Sequence, residues 1–140
     1  MKKYIFILAM MLSMSVAAFG QEVSPETLAK RAKRKNLTVK EWNVEQKGST
    51  RWMDHITVYD SEGRKVSSTE FARYGQKERV VISYGSNGLV EKEVVYDDRD
   101  KVVRVRKYEY NADGTKKVQY NYLPNGKLYS VKNYEYVFSD

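Results

Sequence analysis

The sequence predicts an all-β protein, an antiparallel up-and-down meander of about eight strands preceded by a short N-terminal helix. From Leu37 onward, apolar and polar residues alternate with the period of a β-strand. A tyrosine followed four positions later by a turn residue recurs along the same stretch, and the last four of these tyrosines are 12, 14 and 12 residues apart. That spacing accommodates one strand and one tight turn. The recurring pairs are Tyr59 with Gly63, Tyr84 with Gly88, Tyr96 with Asp100, Tyr110 with Gly114 and Tyr122 with Gly126. The pattern leaves open whether the strands form one extended twisted sheet, an open barrel or two layers.

Residues 1–20 are expected to be a secretory signal peptide. Two lysines at positions 2 and 3 precede an uncharged apolar run over residues 4–19, which is shorter than the roughly 20 residues of a membrane span. Small residues at the end of this run predict cleavage between Gly20 and Gln21. The interpretation places the protein in the periplasm or outside the cell, with no stable membrane span after processing. A retained signal anchor is the alternative.

Composition excludes several classes of chemistry. The chain has 140 residues, which suits one domain, and it has no cysteine, so disulfides, cysteine zinc sites and thiol catalysis are excluded. His55 is the single histidine, and the sequence contains neither a nucleophile-elbow motif nor a glycine-rich phosphate loop. We therefore predict no catalytic residue, no metal site and no cofactor. The formal net charge is +7, and removing residues 1–20 takes away two lysines and no acid, which leaves +5.

Residues 21–36 are predicted to form a basic helical segment. Ser24 has the character of an N-cap, Pro25 suits the first helical position and Glu26 suits the first turn, so a helix is expected from there to about Lys35. Cations crowd its C-terminal end, where they complement the helix dipole; they are Lys30, Arg31, Lys33, Arg34 and Lys35. We interpret them as a solvated helix end, with a basic arm for an anionic partner and a protease-sensitive linker as alternatives. Residues 37–140 are predicted to form a single β-meander domain.

The turn sequences predict a register. Residues 86–88, 112–114 and 124–126 fit three-residue hairpin loops, in which a type I turn is followed by a left-handed glycine. Asp100 takes the glycine position in another repeat, which aspartate tolerates better than most residues. An odd-length loop pairs residues of the same parity, so even positions from 80 to 138 are expected on one face. In this register Lys92 lies opposite Arg106, and Glu109 lies opposite Lys117.

The even face would combine tyrosines, aliphatic residues and cations, with no acid. Tyrosine supplies broad amphipathic contact area, and lysine and arginine stems can lie along it with their charged heads outward. The predicted ligand-binding residues on this face are Lys92, Arg104, Arg106, Lys132, Tyr108, Tyr120 and Tyr134. The alternative is an ordinary half-buried sheet face, covered by the first strands and the helix.

Two segments resemble a known repeat. Residues 59–66, Tyr-Asp-Ser-Glu-Gly-Arg-Lys-Val, resemble the Tyr-Asp repeat of large bacterial surface and toxin-shell proteins, and residues 96–102 are a looser copy. With its signal peptide and short length, the whole chain also looks like the small secreted proteins of unknown function that are common in Bacteroides-type gut bacteria. The resemblance covers roughly residues 55–136 and implies an extracytoplasmic β-sheet without assigned catalysis. About five to six units are too few to enclose a cavity as the large Tyr-Asp proteins do.

These features favour an exported, non-catalytic binding module for anionic glycans or for an envelope or host protein. Export argues against nucleic acid as the ligand. One alternative is a structural protein that assembles through its sheet edges, since an extended sheet leaves edge strands exposed and Val137 and Phe138, near the C-terminus, could pair with another chain. The other is a glycan hydrolase, which would need a carboxylate pair drawn from Glu91, Glu93 and Glu109.

Overall fold

The structure, a computed structural model, describes residues 23–48 and 50–139. It contains one helix and a single eight-stranded antiparallel sheet, whose strands follow one another in chain order. The elements are α1 (Pro25–Ala32), β1 (Thr38–Val44), β2 (Arg51–Tyr59), β3 (Lys65–Ala72), β4 (Gly75–Tyr84), β5 (Val90–Tyr96), β6 (Val102–Tyr110), β7 (Lys116–Tyr122) and β8 (Leu128–Asn133). The predicted meander is therefore confirmed, and the sheet is open because β1 and β8 do not pair with each other.

The predicted signal peptide and its cleavage point between Gly20 and Gln21 lie outside the described residues. Among the residues that are described, no helix has the length and apolar character needed to cross a membrane.

The sheet is a single layer with very little buried interior. Among the described residues, Val95 is the one buried apolar side chain, with 3% of its surface exposed, and Thr69 is the one buried polar side chain. Most other strand residues from β2 to β7 are half-buried. Stability therefore depends on contacts between neighbouring side chains on each face, including cations packed on aromatic rings, rather than on a second layer.

Helix α1 begins as the sequence predicts. The Oγ atom of Ser24 accepts a 3.2 Å hydrogen bond from the backbone N–H of Thr27, Pro25 occupies the first turn, and Glu26 forms a 3.3 Å ion pair with Lys30. The helix ends at Ala32, with Lys33 as its C-cap, three residues before the predicted end. The chain then turns into β1 through Asn36, whose φ is 56°.

Arginines from the basic segment dock the helix on the sheet. The Arg31 guanidinium donates a 3.0 Å hydrogen bond to the carbonyl of Gly88 and lies 5.5 Å from the centre of the Tyr84 ring. Arg34 lies 5.4 Å from the ring of Tyr59. Two of the cations that we interpreted as a solvated helix end therefore contact the sheet.

Five of the hairpin turns share one geometry. In each, the residue after the strand-ending tyrosine donates its N–H to a carbonyl four residues on, as Asn111 does to Thr115 at 2.8 Å. The same residue accepts from the N–H three residues on, as Asn111 does from Gly114 at 3.0 Å. The third loop residue has a positive φ in every case, at Gly63, Gly88, Asp100, Gly114 and Gly126. The three-residue loops and the exchange of glycine for Asp100 are confirmed.

The predicted even–odd register is wrong, because each of these hairpins contains a bulge beside the strand-ending tyrosine. In the β5–β6 hairpin, Tyr96 pairs with Val102, but Val95 pairs with Arg104, so one extra residue of β6 separates the two pairs. The other four hairpins shift at the same position relative to the turn. Farther from each turn, partners have opposite parity. Glu93 pairs with Arg106, Lys92 pairs with Lys107 and Glu109 pairs with Val118.

Tyrosine hydroxyls connect neighbouring hairpins at one end of the sheet. The hydroxyl of Tyr84 donates to the carbonyl of Lys65 at 2.7 Å, that of Tyr110 to Val90 at 2.6 Å and that of Tyr136 to Lys116 at 2.8 Å. Each acceptor is the first residue of a strand, adjacent to a bulge. Successive members of this set are 26 residues apart. The structural repeat is therefore two strands with their two turns.

Candidate ligand-binding surface

The bulges divide the predicted binding residues between two faces. Residues paired across antiparallel strands share a face. The face that carries Tyr84, Val95 and Arg106 is called the Tyr84 face, and the face that carries Tyr96 and Lys107 is called the Tyr96 face. The predicted residues on the Tyr84 face are Arg104, Arg106, Lys132, Tyr108 and Tyr134. Lys92 and Tyr120 lie on the Tyr96 face, so the predicted site is not brought together as a whole.

The Tyr84 face is not free of acid, contrary to the prediction. Glu93 lies on it and accepts a 3.3 Å contact from Arg106 and a 2.9 Å hydrogen bond from the Tyr108 hydroxyl. Its side chain is 19% exposed, against 31% for Arg106. Burial and the hydrogen bond to Glu93 raise the pKa of Tyr108 far above its ordinary value. Arg106 therefore has a carboxylate partner within the fold and is a weak candidate for an external anion.

Three cations without such a partner lie against tyrosine rings elsewhere on the same face. We call this group the tyrosine–cation patch; its members are Arg104, Lys116, Lys132, Tyr108, Tyr129 and Tyr134. The Lys116 Nζ lies 4.5 Å from the centre of the Tyr108 ring and 6.0 Å from that of Tyr134. The Lys132 Nζ lies 5.4 Å from the Tyr134 ring. Two ammonium groups therefore flank one ring, which is the geometry of a cation–π cluster.

Arg104 is the member of the patch that lies near the start of β6. It pairs with Val95, the most buried apolar residue described, and its guanidinium lies 5.1 Å from the Tyr129 ring. Its Nε atom is buried and has no hydrogen-bond partner among the described residues. A buried donor without an acceptor is costly to the fold, so the Arg104 side chain is held in place by its packing rather than by hydrogen bonds.

The positive charges of the patch have no acidic partners among the described residues. Within residues 23–48 and 50–139, no carboxylate oxygen lies within 4.0 Å of the charged nitrogens of Arg104, Lys116 or Lys132. The seven ion pairs that form there involve other cations. The three positive charges are therefore compensated by rings and solvent rather than by acids.

Amide side chains extend the patch with hydrogen-bonding groups. Tyr134 donates its hydroxyl to the Oε1 of Gln119 at 3.0 Å, and the Gln119 amide donates to Asn121 at 2.8 Å. Asn121 in turn donates to the Oγ of Ser130 at 3.0 Å. This chain of polar groups crosses β7 and β8 beside the cations, so the surface offers rings, charges and amides together.

The residues on the Tyr96 face have other contacts. Lys92 lies opposite Lys107, which is a like-charge pair, and the Nζ of Lys107 is 5.5 Å from the Tyr122 ring. A hydrogen bond to Glu109 raises the pKa of Tyr120. Because these groups are on the other side of the sheet, they serve as a natural comparison for the patch.

The acidic side chains of the described residues do not form a metal site or a site like the tyrosine–cation patch. The described residues contain no cluster of three or more histidines and acids arranged to hold a metal. In the 97–100 turn, Asp97 accepts from the backbone N–H groups of Arg99 and Lys101, and Asp100 accepts from Gln76 and Arg79. Glu91 and Glu109, from the hydrolase alternative, line one open depression with Lys117, whereas Glu93 lies on the Tyr84 face.

Sequence reasoning overlooked two members of the patch. Lys116 was placed on the aromatic and basic face but was not selected as a binding residue. Tyr129 has an odd number and therefore fell on the opposite predicted face, although the β7–β8 bulge brings it beside Arg104. Comparison with known proteins gives no relative from which to transfer a function, because no family model and no curated protein matches the chain.

Proposed function

We propose that this chain is an exported, non-catalytic binding module, and that its tyrosine–cation patch binds anionic glycans in the periplasm or at the cell exterior. The observation that carries the proposal is the position of Lys116 and Lys132 around the Tyr134 ring without a carboxylate partner in the described chain. Such a surface suits a ligand that has both flat apolar faces and negative charge.

Sugar rings with uronic or sulfate groups have this combination. Their C–H faces pack on aromatic rings, and their charged groups attract ammonium and guanidinium groups. The amides of Gln119 and Asn121 supply donors and acceptors for hydroxyls. Perpendicular to the strands, from β6 to β8, the patch is about 10 Å wide, given the usual spacing of neighbouring strands, and along β6 the step from Arg104 to Tyr108 adds about 13 Å.

The first experiment measures binding of a sulfated glycan, a uronic-acid glycan, a neutral glycan and duplex DNA by calorimetry, at low and at physiological salt. We expect both anionic glycans to bind and the neutral glycan not to bind. Affinity should decrease at physiological salt, because added ions screen exposed charges. Tighter binding of DNA than of either glycan would contradict the choice of ligand.

Charge-removing variants test the position of the site. The Lys116→Gln, Lys132→Gln double variant should weaken binding at least about tenfold, because one hydrogen bond to a charged group contributes roughly 1.5–3 kcal/mol. The matched control is Lys92→Gln, Lys107→Gln, which removes two charges from the Tyr96 face, one of them beside a ring. Equal losses in the two double variants would mean attraction to net charge alone and would overturn the proposed site.

Export is tested separately. The chain is expressed with its first 20 residues in a bacterial host, and the intact mass of the protein in the periplasm or medium is measured. We expect a mature N-terminus at Gln21. A full-length mass in the membrane fraction would contradict export and would support the retained anchor.

A further inference from the structure

Both edge strands of the sheet present unpaired backbone groups. Every residue of β8 is exposed, and β1 is exposed except at Asn43. Neither strand contains a proline, and in the described part of the chain no element packs along the outer edge of either. Exposed edges of this kind are templates for pairing with another chain.

We propose that copies of this protein associate head to tail, with β8 of one copy pairing antiparallel with β1 of the next. Seven antiparallel steps separate β1 from β8, so the two edge strands run in opposite directions. A second copy in the same orientation therefore presents β1 antiparallel to β8, and the joined sheets continue one meander. Since the two surfaces differ, the contact does not close on itself.

The backbone groups of the two edges match in one set of registers. The N–H of Tyr134 donates to the carbonyl of Lys117, so Tyr134 faces β7, and by strand alternation Val131 and Asn133 face outward. On the other edge, the carbonyl of Leu37 accepts from Tyr59, so Lys40 and Trp42 face outward. Pairing requires outward residues of β8 opposite outward residues of β1.

Charge selects one register from this set. With Val131 opposite Trp42, Lys132 lies opposite Glu41 on the Tyr84 face. A shift of two residues in either direction places Lys132 opposite Val39 or Asn43 instead. Glu41 and Lys132 form no ion pair with any other part of the described chain. The register also packs an exposed valine, 44% accessible, on an exposed tryptophan, 42% accessible.

Sedimentation velocity of the exported chain, without any glycan, tests the proposal over a wide range of concentrations. We expect the average mass to rise with concentration without a plateau at the dimer. Glu41→Lys should weaken association at least tenfold, and the Glu41→Lys, Lys132→Glu double variant should restore it. Val131→Pro should also abolish association, because it removes an outward N–H that β7 does not use, and circular dichroism checks that the sheet stays folded.

Two results would overturn the inference. One is a monomer at every concentration, and the other is a dimer that Glu41→Lys leaves unchanged, which would indicate β8–β8 pairing. Glycan binding is measured on Glu41→Lys as well. Within one copy Glu41 is on the opposite edge from the patch, so glycan binding is compared at a concentration at which the parent protein is a monomer. Unchanged glycan binding there, together with loss of association at higher concentration, separates this inference from the proposed function.

Discussion

The Tyr110 hydroxyl donates a 2.6 Å hydrogen bond to the backbone carbonyl of Val90, on the neighbouring strand. Val90 adjoins the bulge of the β4–β5 hairpin, where the regular ladder of backbone hydrogen bonds is interrupted. The same relationship recurs between Tyr84 and Lys65. In a sheet with almost no buried interior, bonds of this type fix one hairpin against the next.

Replacing Tyr110 with phenylalanine should lower the free energy of unfolding by about 0.5–1.5 kcal/mol, which is the usual net value of one hydrogen bond. Urea denaturation measures the change. The matched control is Tyr74→Phe, because Tyr74 is 75% exposed in the β3–β4 turn, and its effect should be near zero. Equal effects of the two substitutions would show that the hydroxyl of Tyr110 adds nothing to stability.

The turns were predictable because their chemistry is local. An aspartate or asparagine beside a glycine determines a three-residue loop through its own backbone preferences and side-chain hydrogen bonds. In the 124–126 loop, for example, the Oδ1 of Asn125 accepts from the N–H of Lys127 at 3.0 Å. Strand number and order followed from the spacing of these loops.

The register was not predictable from loop length, since the extra residue of each bulge lies beyond the loop. Lys117, for example, adds one residue to β7 opposite the step from Glu109 to Tyr110, and nothing in its side chain distinguishes it from a regularly paired residue. This error in the register changed which residues were predicted to form the binding surface. A single-residue shift moved Glu93 to the side of Arg106, and Lys92 and Tyr120 to the opposite face.

The contact between the helix and the sheet was also not predictable from the sequence pattern. Arg31 and Arg34 contact Tyr84 and Tyr59, and these pairs are separated by at least 25 positions in the chain. Helix periodicity reports which face of α1 is apolar, but here the contact is made by cations on rings. A run of lysine and arginine residues in the sequence does not show which of their side chains will lie over an aromatic ring of the sheet.

Gly63 and Gly114 allow steric contact to be separated from backbone strain. Both occupy the left-handed position of the same turn type, with φ of 75° and 88°. An added Cβ at Gly63 would lie 1.8 Å from the carbonyl oxygen of Arg31, whereas one at Gly114 meets nothing within 4 Å. Gly114→Ala should therefore cost about 1 kcal/mol from conformation alone, and Gly63→Ala should cost more and displace α1.

Thermal unfolding and limited trypsin digestion measure these two effects. We expect Gly63→Ala to have the lower melting temperature and to be cut faster within residues 30–35, because the displaced helix exposes its lysines and arginines. Gly114→Ala should be cut there at the rate of the parent protein. Equal digestion rates in the two variants would mean that the close approach of Arg31 to Gly63 does not hold the helix.

Aspartates in the turns should make stability depend on acid pH. Hydrogen bonds from the backbone N–H groups of Lys101 and Arg99 lower the pKa of Asp97. A lowered pKa in the folded state means that the stabilisation is complete above the unfolded value of about 3.9 and is lost as the pH falls through the folded value. Asp97→Asn keeps an acceptor oxygen but cannot ionise.

Melting temperatures of the parent protein and Asp97→Asn, measured between neutral pH and pH 2, check this prediction. The parent should be the more stable at neutral pH, and the difference should narrow as the pH falls below the unfolded pKa, because Asp97 loses its charge as it is protonated. A difference that stays constant over the whole range would show that the charge of Asp97 does not contribute.

Tyrosines should make stability depend on alkaline pH in the opposite sense. Burial raises the pKa of Tyr110 to about 12, and it also raises the pKa of Tyr84. The folded state thus favours the neutral phenol, so this contribution is complete below the unfolded pKa of about 10 and is lost as the pH rises towards 12. This prediction is checked by following phenolate absorbance during alkaline titration. The native protein should show a group of tyrosines that titrate later than the rest.

In urea all tyrosines should titrate together near pH 10, and Tyr110→Phe should remove one member from the late-titrating group of the native protein. A native titration that matches the urea titration while the sheet remains folded would contradict the burial of these hydroxyls.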